Sequence, residues 1–374
     1  MNMIVQLLVR QYPRMVGLAR YTVSLVEYLT RLNVPFTCVE PAYPWPVQAA
    51  NAIGKVLKKD LSTFLTTYPV SAPLNTAAVK HLTTQQMASL LSFRTGLNKV
   101  VVTVHDIIPY LMRDDPVHND LTHFYDRWMD QTAMHNLRRA DRLIAISEYT
   151  KKMLVEKLGC SPDKIRVIIY GLDHELFKPA SITDSFLQQY GLSPEHRYLL
   201  YVGSELPRKN LPRLLQAIAK VKVEIPNVRL LKVGTPIFAH QFESLRELIS
   251  SLNLNDDVIF IDHPTQADLV TLYSFADLFV FPSLFEGFGM PPLEAMACGA
   301  PVICSNAASL PEVVGDAAIT IDPCDIDGWA SAIVRVLNDS NLRTDLSKRG
   351  LEHAGQFTWE RNARETVAVY QELE

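Results

Sequence analysis

Cysteine and long apolar runs are both scarce in this sequence. Its 374 residues include five cysteines, an odd number, and no two of them form a C-x-x-C pair. This argues against a disulfide framework and a zinc ribbon, and it fits a reducing compartment. The first apolar run, Met3–Val9, follows no basic segment, and the longest uncharged stretch, Leu61–Val79, is broken by Pro69 and Pro73. We therefore expect a cytoplasmic protein with neither a signal peptide nor a spanning helix.

A large excess of one charge is also missing, as are several common site motifs. Lys and Arg number 36 against 40 Asp and Glu, and this net charge of −4 does not favour a nucleic-acid partner. No G-x-G-x-x-G follows the first apolar run, and no G-x-x-x-x-G-K-[ST], H-E-x-x-H or G-x-S-x-G occurs. These absences argue against dinucleotide, P-loop, zinc-protease and α/β-hydrolase sites. The ten histidines show no metal-ligand spacing, so we expect no metal site.

The sequence does contain a repeated alternation of short apolar runs with amphipathic stretches. Such runs are typical of parallel strands buried on both faces and joined by helical crossovers, so the pattern predicts an α/β protein with two open sheets in series. Gly171, Pro179 and Pro194 interrupt the alternation, and we predict domains over 1–180 and 195–357 and a last helix within 358–374. The predicted strands are Ile4–Val9, Phe36–Val39, Ala78–Leu82, Val100–Val104, Arg142–Ile146, Ile165–Ile169, Tyr198–Val202, Arg229–Val233, Val258–Ile261, Leu278–Phe281, Pro301–Cys304 and Ala318–Ile321.

Two carboxylates follow one predicted strand of the second domain. Open α/β sheets bind ligands at the carboxyl ends of their strands, and two such domains facing one another would form a cleft. Glu286 lies beside Gly287 and Gly289, which allow a backbone to approach a ligand, and Glu294 is expected in the first turn of a proline-opened helix. A helix start favours phosphate and carboxylates accept vicinal hydroxyls, so the segment suits a sugar nucleotide. Alternatively, Glu294 complements the helix dipole and Glu286 is a solvated loop residue.

A basic pair follows another predicted strand of the second domain. The strand ends near Gly203, and Arg208 and Lys209 stand just before a helix that Asn210 can cap. Two cations at this position are what a departing pyrophosphate needs, whereas their charge opposes the dipole of the helix. The alternative is an exposed basic pair with no role beyond the helix start.

In the first domain, His105 and Asp106 end an apolar strand, and Gly17 opens the helix after the first strand. Backbone N–H groups near Gly17 could approach the same phosphate from this domain. A lone histidine is more often structural, and a lone glycine usually marks only a turn. The residues alone therefore leave both interpretations open.

Together, these residues resemble the retaining glycosyltransferases of family four. The resemblance covers nearly the whole chain, and its most specific part is the segment from Glu286 to Glu294. It implies the GT-B architecture, in which two Rossmann-like domains face each other across a cleft and the last helix crosses back to the N-terminal domain. The other matching segments are the Gly17 loop, His105-Asp106, Ala140–Ser147, Gly171–Asp173, Gly203–Asn210 and Ser305–Val313.

The resemblance implies how a nucleoside-diphosphate sugar, the donor, is bound. Arg208 and Lys209 would hold the diphosphate, and Gly17 would approach it from the N-terminal domain. Glu294 would bind the ribose, and Glu286 would bind the hydroxyls of the hexose. One departure is the single glycine in the loop before the first helix, where many members have two. The other donor-binding residues implied are Gly203, Gly287, Phe288 and Gly289.

The resemblance places the acceptor, a glycan or lipid-linked molecule, on the N-terminal domain. His105 would contact the primary hydroxyl of the donor sugar, while Asp106, Arg14 and Arg20 would face the acceptor. In this family the departing phosphate oxygen is thought to take the acceptor proton, so the implied reaction is hexose transfer with retention, without a protein nucleophile or a metal. The implied catalytic residues are His105, Arg208, Lys209 and Glu286.

Several alternatives stay open at this point. A sugar-nucleotide epimerase of the same fold would release no nucleoside diphosphate in an acceptor-dependent assay, and a non-catalytic sugar-binding protein would need no Arg208-Lys209 pair. The hexose can be of the mannose or glucose type, because loop geometry selects the donor. The segment Pro41–Lys59, with Tyr43 and Trp45, is either an aromatic and basic lip that meets a membrane surface or an ordinary exposed helix.

Overall fold

The computed structural model describes residues 4–10, 17–42, 61–76, 78–115, 117, 124–236 and 238–374. Arg14 and nearly all of the segment Pro41–Lys59 lie outside the described residues, so neither prediction for them is addressed. The chain divides into two compact units, one formed by Met1–Gly171 with Thr358–Glu374 and the other by Leu172–Phe357. The predicted domain bounds, 1–180 and 195–357, stay a prediction.

The first unit is built on a six-stranded parallel sheet in the order β2-β1-β3-β4-β5-β6. Its inner strands are buried almost throughout, which explains why they read as continuous apolar runs in the sequence. Its strands are β1 Val5–Leu8, β2 Phe36–Val39, β3 Val79–Leu82, β4 Val100–Val104, β5 Arg142–Ala145 and β6 Ile165–Val167. Its α-helices are Gly17–Arg31, Leu61–Thr67, Leu90–Phe93, Ile108–Leu111, Phe124–Asn136, Glu148–Leu158 and, from the end of the chain, Trp359–Gln371.

The second unit repeats this architecture with the strand order β12-β11-β10-β7-β8-β9, again all parallel. The predicted α/β class with two open parallel sheets is confirmed. Its strands are β7 Arg197–Val202, β8 Val228–Val233, β9 Val258–Ile261, β10 Leu278–Phe281, β11 Val302–Ser305 and β12 Ile319–Ile321. Its α-helices are Asp184–Tyr190, Leu211–Glu224, Ala239–Ser251, Gln266–Phe275, Met290–Ala297, Leu310–Val314, Ile326–Asn338 and Ser340–Ala354.

The last helix packs on the first unit, as expected. The Asn362 side chain donates to the backbone carbonyl of Ile169 at 2.7 Å, and Glu372 accepts hydrogen bonds from Arg142 at 2.6 Å and Arg166 at 2.8 Å. Gly171 lies so close to this helix that a Cβ there would be 2.2 Å from a backbone nitrogen of the helix. None of the described helices is both long and apolar enough to cross a membrane.

Candidate functional site

The donor-binding residues predicted in the second unit lie on loops at one edge of its sheet. Strands β11, β10 and β7 are neighbours and parallel, so their carboxyl ends meet at that edge. The loop after β7 carries Arg208 and Lys209, and the loop after β10 carries Glu286. The fold therefore brings together side chains that are more than seventy residues apart in the chain.

Glu286 is the centre of this cluster. Lys209 Nζ donates to Glu286 Oε1 at 2.6 Å, and Arg208 Nη1 lies 3.8 Å from Glu286 Oε2. The ammonium of Lys209 is also 5.1 Å from the centroid of the Phe281 ring, and Arg208 donates to the backbone carbonyl of Phe285 at 3.3 Å. Two cations and one carboxylate thus share a small region at the sheet edge.

The ionic state of Glu286 follows from these neighbours. Burial alone raises the pKa of its carboxyl, but the charges of Lys209 and Arg208 outweigh burial and hold the pKa below its usual value. The side chains of Lys209 and Glu286 each keep 12% of their surface exposed, so the pair is accessible at one end. Glu286 is an ionised acceptor near neutral pH, and Lys209 is held beside it as a donor.

Backbone contacts lock the two loops to each other. The amide of Leu284 donates to the carbonyl of Arg208 at 2.7 Å, and the hydroxyl of Ser283 donates to the same carbonyl at 3.2 Å. Ser309, in the loop after β11, directs its buried hydroxyl to the carbonyls of Glu286 at 3.0 Å and Phe288 at 2.5 Å. The sequence analysis missed Ser283 and Ser309; their place just after two predicted strands was the signal that could have found them.

Asn210 has a different role from the predicted one. Its side chain makes no cap hydrogen bond to the following helix, and its backbone is left-handed with φ 59°. The Nδ2 group instead donates to the carbonyls of Pro282 at 3.1 Å and Pro323 at 2.7 Å. The capping prediction is wrong because these two buried carbonyls fix the orientation of the side chain, and its Oδ1 accepts from Arg213 at 2.9 Å rather than from a backbone N–H of the helix start. The bonds of Nδ2 tie the basic loop to its neighbours.

Glu294 lies just beyond the first turn of its helix, whereas the prediction placed it within that turn. The helix starts at Met290, because Gly289 has φ 134° and is not helical, so Glu294 is not in the first turn. It is buried and accepts a hydrogen bond from the hydroxyl of Tyr273 at 2.9 Å. The sequence analysis did not identify Tyr273, which lies on a separate helix and could be found only from the fold.

The remaining donor-side residues act through backbone and packing in this structure. A Cβ at Gly289 would lie 2.7 Å from Leu310, and one at Gly203 would lie 2.9 Å from the hydroxyl of Tyr201, so both positions demand glycine. The ring of Phe288 is buried and packs edge-on against Phe357 at 6.1 Å. The side chain of Phe288 therefore contributes to packing, and its predicted contact with the donor stays a prediction.

His105 belongs to the first unit and is fully engaged there. Its Nε2 lies 2.8 Å from the carbonyl of Thr83, and its Nδ1 pairs with the hydroxyl of Tyr170. Burial lowers the pKa of His105 to about 4, against the opposing effect of the Thr83 carbonyl, so the ring is neutral. Its predicted contact with the primary hydroxyl of the donor sugar stays a prediction.

A second buried histidine, which the sequence analysis missed, extends this network to the last helix. His81 pairs through Nε2 with Thr103 Oγ1 at 2.7 Å and through Nδ1 with the hydroxyl of Tyr370 at 2.6 Å. Thr103 Oγ1 also pairs with the hydroxyl of Tyr21 at 2.9 Å. Burial lowers the pKa of His81 to about 3, so this chain of hydrogen bonds is uncharged. No motif marks His81, because its role depends on contact with a helix 289 residues away.

Of the three residues predicted to face the acceptor, the structure describes Asp106 and Arg20. Asp106 accepts a hydrogen bond from the backbone of Ile108 at 3.0 Å, which fixes the turn after β4. Asp130, on the helix Phe124–Asn136, is buried; burial raises its pKa to about 7, the hydrogen bond from Tyr68 opposes the rise, and the charge of Asp106 adds to it. Arg20 is half-buried on the first helix, which begins at Gly17, and Arg14 lies outside the described residues.

In the part of the chain that the structure describes, no group of three or more His, Cys, Asp or Glu side chains could hold a metal ion. Among the clusters of opposite charge that the fold forms, the two cations and the carboxylate around Glu286 lie on loops at the carboxyl edge of the second sheet. They can bind an anion that also carries hydroxyl groups.

Comparisons with known proteins identify the family of this chain. Residues 15–176 match the family described as Glycosyltransferase Family 4, and residues 183–353 match the family described as Glycosyl transferases group 1. The chain is 32% identical to the O-antigen chain mannosyltransferase B of Escherichia coli over 279 residues, which cover 74% of this chain and 71% of that protein. It spans between 32% and 56% of the length of further curated relatives.

Solved structures show the same fold at low identity. A sucrose-phosphate synthase of Thermosynechococcus elongatus superposes with a TM-score of 0.75 at 22% identity, over 100% of this chain and 99% of that one. The Anabaena protein HepE, solved in complex with UDP and glucose, gives a TM-score of 0.72 at 19% identity over the whole of both chains. The chain therefore belongs to the family-four, group 1 glycosyltransferases and has their GT-B fold.

Proposed function

We propose that this enzyme transfers a hexose of the mannose type from a nucleoside-diphosphate sugar to a hydroxyl of a glycan acceptor, with retention of anomeric configuration. The observation that carries the proposal is the cluster of Lys209, Arg208 and Glu286 at the carboxyl edge of the second sheet. The mannosyltransferase name of the E. coli relative favours mannose over glucose. The O-antigen chain in that name favours a polysaccharide or glycolipid acceptor.

The cluster suits both ends of a diphosphate sugar. When the donor binds, its phosphate oxygens become further acceptors for Lys209 and Arg208, and each charge-assisted hydrogen bond gained contributes about 1.5–3 kcal/mol. Glu286 is ionised because the two cations lower its pKa, so it accepts from hexose hydroxyls rather than donating to them. Glu294, anchored by Tyr273, is assigned to the ribose hydroxyls.

The reaction needs stabilisation of the leaving group more than a nucleophile. The bond between the anomeric carbon and the phosphate oxygen breaks, and its electron pair stays on that oxygen. The acceptor oxygen bonds to the anomeric carbon from the same face, and its proton passes to the departing phosphate oxygen. Arg208 and Lys209 would stabilise the developing charge, the role that a divalent cation takes elsewhere, so we propose activity without added metal.

A transfer assay tests the proposal. GDP-mannose and UDP-glucose are offered with a mannose oligosaccharide acceptor, with and without excess chelator, and the linkage formed is read by NMR. We expect α-linked product from an α-linked donor, nucleoside diphosphate released in step with transfer, and the same rate in chelator. A β-linked product would contradict retention. A rate lost in chelator and restored by Mg²⁺ or Mn²⁺ would contradict metal independence.

A further inference from the structure

The first unit carries a surface groove that the donor site does not use. It has a volume of about 310 Å³ and lies on the outer side of the helix Phe124–Asn136. This is the lower end of the size range of small-molecule sites. The groove is lined by Ser92, Trp128, Gln131, Thr132, His135 and Asn136.

The helix presents all of these residues except Ser92, because its other face is committed to the core. Met129, Ala133 and Met134 are buried, and this fixes the opposite side of the helix outward. Trp128 is therefore 52% exposed, whereas Trp329 and Trp359 are buried. A tryptophan held half in solvent beside a groove is an unusual use of the largest apolar side chain.

The polar groups of the groove are fixed in place. Asn136 Nδ2 donates to Ser92 Oγ at 2.7 Å and to the carbonyl of Ala88 at 3.0 Å, which sets one wall. His135 Nδ1 lies 2.7 Å from the carbonyl of Gln131 and must donate to it, which makes Nε2 of the neutral ring an acceptor. The side-chain amide of Gln131 makes no hydrogen bond to any other described residue. The groove thus offers an aromatic face with donors and acceptors of fixed position.

The chemistry of the lining selects one kind of ligand. None of the six lining residues is a lysine, arginine, aspartate or glutamate, so the groove matches an uncharged ligand rather than a phosphate, an anionic lipid or a nucleic acid. A pyranose ring has an apolar C–H face that packs on an indole, and its rim of hydroxyls bonds to amide, imidazole and hydroxyl groups. These are the groups that the groove contains.

We infer that this groove is a second glycan-binding site, in which Trp128 stacks against one sugar residue of the acceptor chain. The inference rests on the proposed function, because it takes the acceptor to be a glycan of several residues. The site would strengthen the binding of long acceptors relative to short ones, since a second contact on the same chain raises the effective concentration at the first.

Binding of glycan without donor tests the groove directly. Linear mannose and glucose oligosaccharides are titrated while tryptophan fluorescence is recorded, for the unaltered protein, Trp128→Ala, Trp128→Phe and Phe124→Ala. Phe124 is the matched control because it is 83% exposed on the same helix but does not line the groove. We expect saturable binding that weakens at least tenfold in Trp128→Ala, weakens less in Trp128→Phe and is unchanged in Phe124→Ala. The affinity of Trp128→Ala is measured by NMR saturation transfer.

Equal affinity in Trp128→Ala and the unaltered protein, or no saturable binding to either oligosaccharide series, would overturn the inference. A kinetic measurement separates this failure from failure of the proposed function. Trp128→Ala should raise KM several-fold for acceptors of several residues, with less effect on KM for a monosaccharide acceptor and on kcat. Transfer with the same KM for long acceptors in both proteins would refute the second glycan-binding site and leave the enzyme assignment intact. Glycan binding at the groove without any transfer would support the second site and contradict the proposed transferase activity.

Discussion

The polar clusters of the two units differ in charge and in completeness. Around Glu286 in the second unit, two cations face a carboxylate, and Lys209 and Glu286 remain partly accessible. Around His81 and His105 in the first unit, neutral groups pair with hydroxyls and carbonyls inside the core. The side chains around Glu286 can form further hydrogen bonds to a ligand, whereas the groups around His81 and His105 already have hydrogen-bond partners in the core.

This difference assigns different tasks to the two clusters. Partial exposure lets a phosphate oxygen reach Lys209 without the loss of a buried contact, and the ionic groups then gain a second partner. The bonds of His81 to Thr103 and Tyr370 join the last helix to the sheet, so their loss costs folding free energy. We therefore expect substitutions around Glu286 to act on turnover and loss of the His81–Tyr370 bond to act on stability.

The largest effect is expected from Lys209→Ala and Glu286→Ala. Loss of Lys209 removes stabilisation of the leaving group, and loss of Glu286 removes an acceptor for the hexose hydroxyls. We expect kcat to fall about 10²–10³-fold in each variant, the usual cost of one such electrostatic contact. Initial-rate assays measure the fall, and circular dichroism checks the fold. Lys220→Ala is the control, since Lys220 pairs with Asp327 on the surface. Near-normal turnover in both variants would contradict the assigned site.

A smaller effect, on stability alone, is expected from Tyr370→Phe. The loss of the hydroxyl leaves Nδ1 of buried His81 without its partner, which costs about 1–3 kcal/mol in the free energy of unfolding. Urea unfolding measures this change, and kcat should remain within about twofold of normal. Tyr28→Phe is the matched control, because the hydroxyl of Tyr28 bonds to no other described residue. An unchanged unfolding midpoint in Tyr370→Phe would show that the network does not anchor the helix.

The smallest effect is a dependence of stability on pH. Between about pH 6.5 and 4.5 the unfolded chain protonates His81 and His105 while the native protein does not, and the native protein keeps a proton on Asp130 that the unfolded chain loses. The unfolded state binds two protons on the histidines and the native state binds one on Asp130, so the unfolded state holds one proton more than the native state. Stability should therefore fall with falling pH by about 1 kcal/mol per unit, as measured by urea unfolding.

His81→Gln sharpens this prediction. Glutamine keeps hydrogen-bonding groups but does not titrate, so the net excess falls to zero and the slope should flatten. A slope that is the same in His81→Gln and the unaltered protein would mean that His81 does not titrate as its burial requires.

The sequence predicted the elements well and the side-chain partners less well. Apolar runs predicted the strands to within two residues, because strands buried on both faces are mostly apolar. Because the apolar runs locate the ends of the strands, the sequence also predicted that Arg208, Lys209 and Glu286 lie just after strands. The contacts of His81, Tyr273 and Asn210 were not, since each depends on a partner on another element that only the fold brings near.

Two errors have a clear structural cause. Glu294 was expected in the first turn because the prolines were taken as the helix start, but the non-helical Gly289 lets the helix begin at Met290. Asn210 was expected to cap because asparagine often does, but its Nδ2 group is held by the carbonyls of Pro282 and Pro323 and its Oδ1 accepts from Arg213. The first error is a local shift of the helix start, whereas contacts with other loops decided the second.

The central claim is that the cations beside Glu286 bind a nucleoside diphosphate, and calorimetric titration tests it most directly. GDP and UDP are titrated into the unaltered protein, Lys209→Ala and Lys220→Ala. We predict that the preferred diphosphate binds Lys209→Ala at least tenfold more weakly, the loss of about one charge-assisted hydrogen bond, and binds Lys220→Ala normally. Equal affinity for all three proteins would contradict the account.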